Sequence, residues 1–226
     1  MNASTPQVSV IVPVFNGAAT LAEAIDSIRA QDVPVEIIVV DDGSTDDTPR
    51  VIGTLEVTAI RQDNRGPAAA RNNGLLFARA PFVAFLDDDD VWLPHKLRHQ
   101  LDLLARHPGA AAVLGYTAFQ SLDPGTGVWS DVAEPHLLYH LGAGLFRRDV
   151  FDRVGPFDAA LRSSEDVDWF LRARDAGIGI VTSPETVQIH RRNGANMTRG
   201  KDLRELGFIE AVKRSLDRRR AGAAQP

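Results

Sequence analysis

Four consecutive carboxylates, Asp87, Asp88, Asp89 and Asp90, follow directly on the apolar run Phe82–Leu86. Acids crowded in this way raise one another's pKa unless something positive compensates them, and a divalent cation with oxygen ligands does so with few side chains. A solvated acidic turn is the plainer alternative. Trp92, Leu93 and Pro94 follow at once, so the acids lie between two apolar anchors, which favours metal binding. A second acidic stretch, Asp41-Asp42-Gly43-Ser44-Thr45-Asp46-Asp47-Thr48, also leaves an apolar run. Gly43 and Ser44 suit a tight turn, and Thr45 or Asp46 can cap a following helix. That turn does not call for Asp41 and Asp42, whose carboxylates can accept hydrogen bonds from a base N–H or a ribose hydroxyl. Arg65 and Arg71 flank the start of a small-residue segment, where guanidinium groups and a helix N-terminus can face an anion. Glu165 and Asp166 open an amphipathic segment; they suit a helix N-terminus, and a carboxylate there can also serve as a general base.

The histidines carry weaker signals. His95 with His99, and His136 with His140, have the spacing of two ligands on one helix face, but neither pair has the glutamate-bearing zinc-protease pattern, and packed or solvated rings are the expectation. His190, after a short apolar run and before Arg191 and Arg192, is the histidine placed best to reach a site.

The elements that must present these residues alternate. Val8–Val14 is nearly all apolar and reads as a strand buried on both faces. Leu21, Ile25 and Ile28 recur at helical spacing, and Val35–Val40 is the next strand, completing a βαβ unit. Pro49 suits a first helical turn, Val57–Ile60 a short strand, and Pro67 the start of an Ala-rich helix. Phe82–Leu86 is the strand that feeds the acids, Pro94 begins a helix carrying Leu97, Leu101 and Leu104, and Ala110–Tyr116 is a further strand. Between Ser121 and His140 periodicity fails, which predicts a long irregular connection. Helices return at Asp149–Val154 and Glu165–Ala176, with short strands near Ile178–Val181 and Thr186–Ile189. The expected architecture is one α/β domain over residues 1–200, a mostly parallel central sheet between helical layers, followed by a charged helical tail over 201–226. Ligands of such sheets bind at the carboxyl ends of the strands, where the acids lie.

Composition narrows the function. With 226 residues, 44% hydrophobic and 24% charged, the chain suffices for one well-formed core. A net charge of -5 argues against general nucleic-acid binding. The absence of cysteine excludes disulfides, thiolate metal sites and cysteine nucleophiles, and allows the reducing cytoplasm that is the expected compartment. Met1–Gln7 lacks the features of a secretory signal, and no apolar stretch is long enough to span a bilayer. The basic stretch Lys213–Arg220 leaves peripheral contact with an anionic membrane open. The first strand-to-helix turn, Val12–Gly17, has neither a dinucleotide fingerprint nor a Gly-Lys phosphate loop. A Mg2+-dependent phosphohydrolase is disfavoured because Pro13 and Val14 stand where an aspartyl nucleophile usually follows the first strand.

Taken together, Val8–Gly17, the Asp41–Thr45 turn, Phe85–Trp92, Gly144–Arg148, Val154–Asp158 and Glu165-Asp166 resemble a family 2 glycosyltransferase of GT-A fold. The resemblance implies that a DxD element, here Asp87-Asp88-Asp89, binds a divalent ion (Mn2+ or Mg2+) and the donor nucleotide. It makes Asp89 the favoured metal ligand, joined by Asp87 and His190. It implies that Pro13, Phe15, Asp41 and Asp42 hold the base and ribose, with Arg71, Asp87 and Asp88 in the same nucleotide-binding set, and that Glu165 and Trp92 lie near the donor or acceptor sugar. It makes Asp166 the catalytic base of an inverting transfer from a nucleotide-diphosphate sugar, a UDP-sugar foremost, to an acceptor hydroxyl. One departure is that relatives commonly carry a histidine where this chain has Asn193, with His190 three residues earlier, so that either His190 reaches in, Asn193 substitutes as a neutral oxygen ligand, or the site is weakened. A non-catalytic nucleotide-sugar-binding protein derived from such enzymes is the alternative.

Overall fold

A computed structural model describes residues 5–161, 163–192 and 207–223. The strands are β1 (Val8–Val14), β2 (Val35–Asp41), β3 (Thr58–Arg61), β4 (Phe82–Phe85), β5 (Val91–Trp92), β6 (Ala112–Leu122), β7 (Trp129–Leu137), β8 (Gly144–Arg147) and β9 (Ile180–Arg192). The helices are α1 (Leu21–Arg29), α2 (Thr48–Ile52), α3 (Pro67–Leu75), α4 (Lys96–Arg106), α5 (Val150–Val154), α6 (Glu165–Asp175) and α7 (Phe208–Ala223). All nine strands form one sheet in the order β3-β2-β1-β4-β8-β6-β9-β5, with β7 paired to the distal part of β6.

The sheet is mixed where a mostly parallel one was expected. β1, β2, β3 and β4 pair in parallel, and so do β6 and β9, but β8 runs antiparallel between β4 and β6, and β5 and β7 are antiparallel to their partners. The antiparallel insertion of β8 nevertheless returns β6 and β9 to the direction of β4. The carboxyl ends of β1, β2, β4 and β9 therefore point the same way, which is the condition for one shared site.

Both faces of the sheet are covered, as the apolar runs require. Along β1, Val8, Val10, Val12 and Val14 pack with Leu21, Ile25 and Ile28 of α1 and Leu97 and Leu104 of α4. Ile11 points to the opposite face, where Ile38, Val40 and Phe85 meet Ala68 and Ala70 of α3, Phe151 of α5 and Trp169 of α6. The small residues of α3 let it lie close: a Cβ on Gly74 would stand 2.5 Å from Ile11 Cγ2. Phe85, Phe146, Phe151, Phe157 and Trp169 make a continuous set of edge and tilted ring contacts beneath α6.

Two segments differ from the sequence expectation. Residues 121–140 are not an irregular connection: β7 folds back on β6 through a turn held by Asp123, whose Oδ1 accepts Gly125 and Thr126 N–H. Its residues are mostly exposed, so burial imposes no apolar alternation to read. The two short strands expected near 178–189 are one strand, β9, whose register shifts beside Leu114–Thr117 accommodate Pro184. The tail helix α7 packs on α6 through Arg218–Asp168 and Arg219–Asp175 ion pairs, and Arg214 pairs with Asp158 in the segment before α6. Among the described residues, no helix is long and apolar enough to cross a membrane.

Candidate active site

The acid run turns immediately after β4, and Asp87, Asp88 and Asp90 meet different neighbours. Asp87 Oδ1 accepts from Arg71 Nη2 at 2.5 Å, and its Oδ2 lies 3.7 Å from His140 Nε2. Asp88 lies against the backbone of Gly17, where a side chain would collide with it, and accepts from Thr20 Oγ1 at 3.3 Å. Asp90 is fully buried and accepts Gln188 Nε2–H at 2.5 Å, Arg191 N–H at 2.9 Å and the His190 ring at 3.1 Å. Ligand atoms of Asp90, His140 and His190 all lie within 4.8 Å of one another.

Arg71 joins the two halves of the site. It is 5% exposed on α3, with Nη1 donating to Glu165 and Nη2 to Asp87, so its guanidinium faces two carboxylates of the protein and brings the N-terminus of α6 beside the end of β4. Burial alone would weaken its charge; Asp87 and Glu165 outweigh that and raise its pKa further. One guanidinium cannot fully neutralise two acids, one buried and one half-buried. Burial opposes the Asp87 anion, but Arg71, His140 and His190 overcome it and lower its pKa. Glu165 is pushed upward by burial and by Asp166, against the pull of Arg71. Asp166 is half-buried, and its Oδ1 accepts Val167 N–H at 2.7 Å. The preceding Ser164 adopts a left-handed conformation, φ 61°, uncommon for a residue with a side chain.

The remaining acids report a shortage of positive charge. Burial, with Asp89 and Asp87 beside it, pushes Asp88 up to about 8. Burial, with Asp90 and Asp87, pushes Asp89 up to about 7. His190 answers in kind: burial disfavours its charge, but Asp90, Asp87 and Asp89 raise its pKa. These oxygen and nitrogen donors and this uncompensated charge fit a divalent cation.

At the end of β2 the two aspartates hold the chain. Asp41 Oδ1 accepts Ser44 N–H at 2.8 Å and Oδ2 meets Arg61 Nη1 at 2.7 Å, so the turn does use Asp41. Asp42 accepts Gln62 Nε2–H and the N–H groups of Arg65 and Gly66. Both are 3% exposed. Asn16, at φ 55°, ties this loop to the end of β1 by accepting Thr45 N–H at 2.8 Å. Asp46 Oδ1 accepts Thr48 N–H at the start of α2. Phe15 is 48% exposed beside these loops, whereas Pro13 is buried in β1.

Trp92 is not available to a sugar. Its indole is 3% exposed, and its Nε1–H donates to Gly142 O. An aromatic next to acids fits a core as well as a binding face, and here the core claims it. His136 and His140 share no helix face: His136 lies on β7, stacked on Phe119, while His140 lies beyond the strand at the acid run. His95 and His99 meet Glu185 and Ser183 on the surface of β9. His140 and Gln188 carry no local sequence signal beyond residue type, because their partners lie 48 to 98 positions away. Asn193 lies outside the described residues. A surface hollow lined by Arg29, Val35, Glu36 and Thr58 sits at the amino ends of β2 and β3, the far end of these strands from the acids.

A family model described as Glycosyl transferase family 2 matches residues 9–167. An uncharacterized glycosyltransferase of Rickettsia prowazekii is 30% identical over 197 residues, which are 78% of this chain and 62% of the relative. Among solved structures, S. aureus TarS 1–349 in complex with UDP-GlcNAc matches with a TM-score of 0.74 at 23% identity, over 92% of this chain and 65% of that one. The mannosyltransferase PcManGT from Pyrobaculum calidifontis, in complex with GDP-Man and Mn2+, matches with a TM-score of 0.67 at 26% identity, over 86% and 58% of the two chains. This chain thus spans less than two thirds of the length of each of these three proteins. With the family model covering well over half of it, the chain belongs to glycosyl transferase family 2.

Proposed function

We propose that this chain transfers a glycosyl group from a nucleotide-diphosphate sugar, a UDP-sugar foremost, to an acceptor hydroxyl with inversion at the anomeric carbon. The observation that carries this reading is the Arg71 bridge, which sets the acid run after β4 beside the Glu165-Asp166 corner of α6. In-line transfer needs both at once, a pole for the departing diphosphate and a carboxylate for the incoming alcohol. Solved structures of similar fold support the donor class, since TarS is in complex with UDP-GlcNAc and PcManGT with GDP-Man and Mn2+.

The nucleotide end falls to the loops after β1 and β2, with Phe15 as the exposed apolar surface and Asp41 and Asp42 holding the backbone that meets base and ribose. Asp87, Asp89, Asp90, His140 and His190 are the residues that would hold a divalent cation. When bound, it supplies charge neutralisation for the leaving diphosphate. Asp166 takes the proton of the acceptor hydroxyl as that oxygen forms its bond to the anomeric carbon and the bond to the phosphate oxygen breaks. Glu165 keeps to Arg71, and among the described residues Asp166 is the carboxylate at this corner without an ion pair. Trp92 has no part in sugar contact.

Asp166→Asn tests this in a transfer assay over a panel of nucleotide sugars with Mn2+. Donor binding by calorimetry should stay near the parent value while transfer falls by about 100–10,000-fold. Near-normal turnover of the variant would remove Asp166 from the role. Donor binding by the parent protein without hydrolysis or transfer would favour a non-catalytic binding protein.

A further inference from the structure

Three consecutive backbone carbonyls just after His140 each receive a buried side-chain donor from one short stretch. Trp92 Nε1–H donates to Gly142 O, Gln100 Nε2–H to Ala143 O and Lys96 Nζ to Gly144 O, each at 2.8 Å. Trp92 ends β5, and Lys96 and Gln100 sit one turn apart on α4, where Lys96 Nζ also donates to Gln100 Oε1 at 2.7 Å and rests 4.3 Å over the Trp92 ring. Lys96 and Gln100 are fully buried. Burial pushes the Lys96 amine well below the usual lysine range, and among the described residues its hydrogen-bond partners are an amide oxygen and a backbone carbonyl, with no carboxylate. A lysine in such a place opposes folding unless its hydrogen bonds matter. A methionine would fill the same space, so packing alone does not account for it. What the hydrogen bonds fix is the 3-10 turn Leu141–Ala143.

That turn carries His140, and a second contact sets the ring. Gln188 Nε2–H donates to Asp90 Oδ2 at 2.5 Å, and an ionised carboxylate only accepts. The amide is thereby oriented with Oε1 toward His140 Nδ1, 3.4 Å away. Nδ1 of the neutral ring therefore bears the proton, and Nε2 keeps its lone pair, 3.7 Å from Asp87 Oδ2. Gly142 belongs to the same fit, since a Cβ there would stand 2.6 Å from Gln188 Nε2.

We propose that Trp92, Lys96, Gln100 and Gln188 are positioning residues that hold His140 with its Nε2 lone pair turned to Asp87, making His140 a ligand of the cation at this site. This rests on the reading of the acid run as a cation site, and its test needs no turnover.

The experiment is titration of Mn2+ in the presence of UDP, followed by the electron paramagnetic resonance of free Mn2+ in the parent and variant proteins. His140→Ala should weaken Mn2+ binding by about 10–100-fold, the usual cost of disturbing a metal's ligands or their supports. Lys96→Met and Trp92→Phe should each weaken it severalfold. In the His140→Ala background they should add less than about twofold, because they act through that ring. Trp92→Phe keeps the aromatic packing and deletes one N–H, so the test stands even where Lys96→Met does not fold. Full Mn2+ affinity in Trp92→Phe and Lys96→Met beside a loss in His140→Ala would overturn the positioning role while leaving the cation reading intact. Additive losses in the double variants would overturn it too, as the mark of general destabilisation. A parent protein that binds no Mn2+ with UDP would overturn the cation reading and this inference with it.

Discussion

Replacing Arg71 with methionine tests whether this guanidinium is what allows Asp87 and Glu165 to remain ionised side by side. Arg71 is 5% exposed and donates to both acids, while methionine fills much of the same volume, so the change is chiefly electrostatic. Without the guanidinium, one acid responds by taking a proton. Glu165 is that acid, because burial and Asp166 already push its pKa up, whereas Asp87 retains His190 nearby. Protonation is always open to the folded chain, so it caps the electrostatic penalty. From the ordinary value of 4.5, neutralising Glu165 at pH 7 costs about 1.36 × 2.5, or roughly 3.4 kcal/mol. That falls within the ~3–5 kcal/mol typical of a broken buried ion pair. The sign with pH follows. In the variant the folded-state pKa of Glu165 lies above its unfolded value, so stability is kept at low pH and lost as pH rises. The penalty should shrink by about 1.4 kcal/mol per unit, to roughly 0.7 kcal/mol at pH 5. Urea unfolding at pH 5, 6 and 7, followed by tryptophan fluorescence with Trp169 of α6 as a buried reporter, measures it. Adding Glu165→Gln to the variant should recover most of the loss at pH 7. A penalty below about 1 kcal/mol at pH 7, or one that does not change between pH 5 and 7, would refute the reasoning.

Gly74→Ala should destabilise the protein by about 1–3 kcal/mol in urea, because its new Cβ meets Ile11 at 2.5 Å and must push α3 off the sheet. Since α3 carries Arg71, UDP binding should weaken in parallel; an alanine variant as stable as the parent would mean that α3 packs otherwise. Asp88 and Asp89, pushed up to about 8 and about 7, are partly protonated near neutrality, while the proposed cation needs the Asp89 anion as a ligand and is favoured by the nearby Asp88 anion. Mn2+ affinity should therefore rise from pH 6 to pH 8, with proton release detected by calorimetry in buffers of different ionisation enthalpy. Raised carboxylate pKa values also mean that the cation-free protein loses stability as pH climbs toward 8. Its melting temperature should fall over that range and Mn2+ should restore more of it at pH 8 than at pH 6, whereas a flat profile would contradict both expectations.

Much of the first half of the fold is legible in the sequence because burial on both faces writes itself as unbroken apolar runs. Val8–Val14 and Val35–Asp41 could hardly be anything but central strands, and Pro49 and Pro67 sit within the first turns of α2 and α3. The second half is less legible for the opposite reason. β7 is a mostly exposed strand whose residues answer to hydrogen bonding with β6 and not to a core, and β9 bends through Pro184 with shifted register. At the site, the acid run and the Glu165-Asp166 corner are visible as clusters. The groups that complete it are single residues of ordinary type whose meaning depends on partners far along the chain: His140 with Asp87, Gln188 with Asp90, and Lys96 with Gly144. Trp92 shows the limit most clearly, since the same aromatic neighbour of an acid run suits a sugar platform or a core, and only its buried N–H to Gly142 decides.

The charge arrangement explains why this mouth lies where it does. The acid run, Asp87 to Asp90, and Glu165 bring five carboxylates together, against Arg71 and whatever charge His140 and His190 carry. A fold selected for stability alone would disperse such acids, since like charges near burial weaken it. Here they are held in place by contacts that serve little else: Gly17 leaves room for Asp88, Arg71 is buried to reach Asp87, and Asp90 collects three donors from β9. Because β8 turns the second half of the sheet back into the direction of β4, the ends of β1, β2, β4 and β9 all deliver their residues to this one edge. Asp87 is held ionised by Arg71, and Asp88 and Asp89 keep protons near neutrality. The site is thus anionic but short of positive charge by design of its own scaffold, a state that the proposed cation with its diphosphate would relieve and that a simple surface turn would have no cause to maintain.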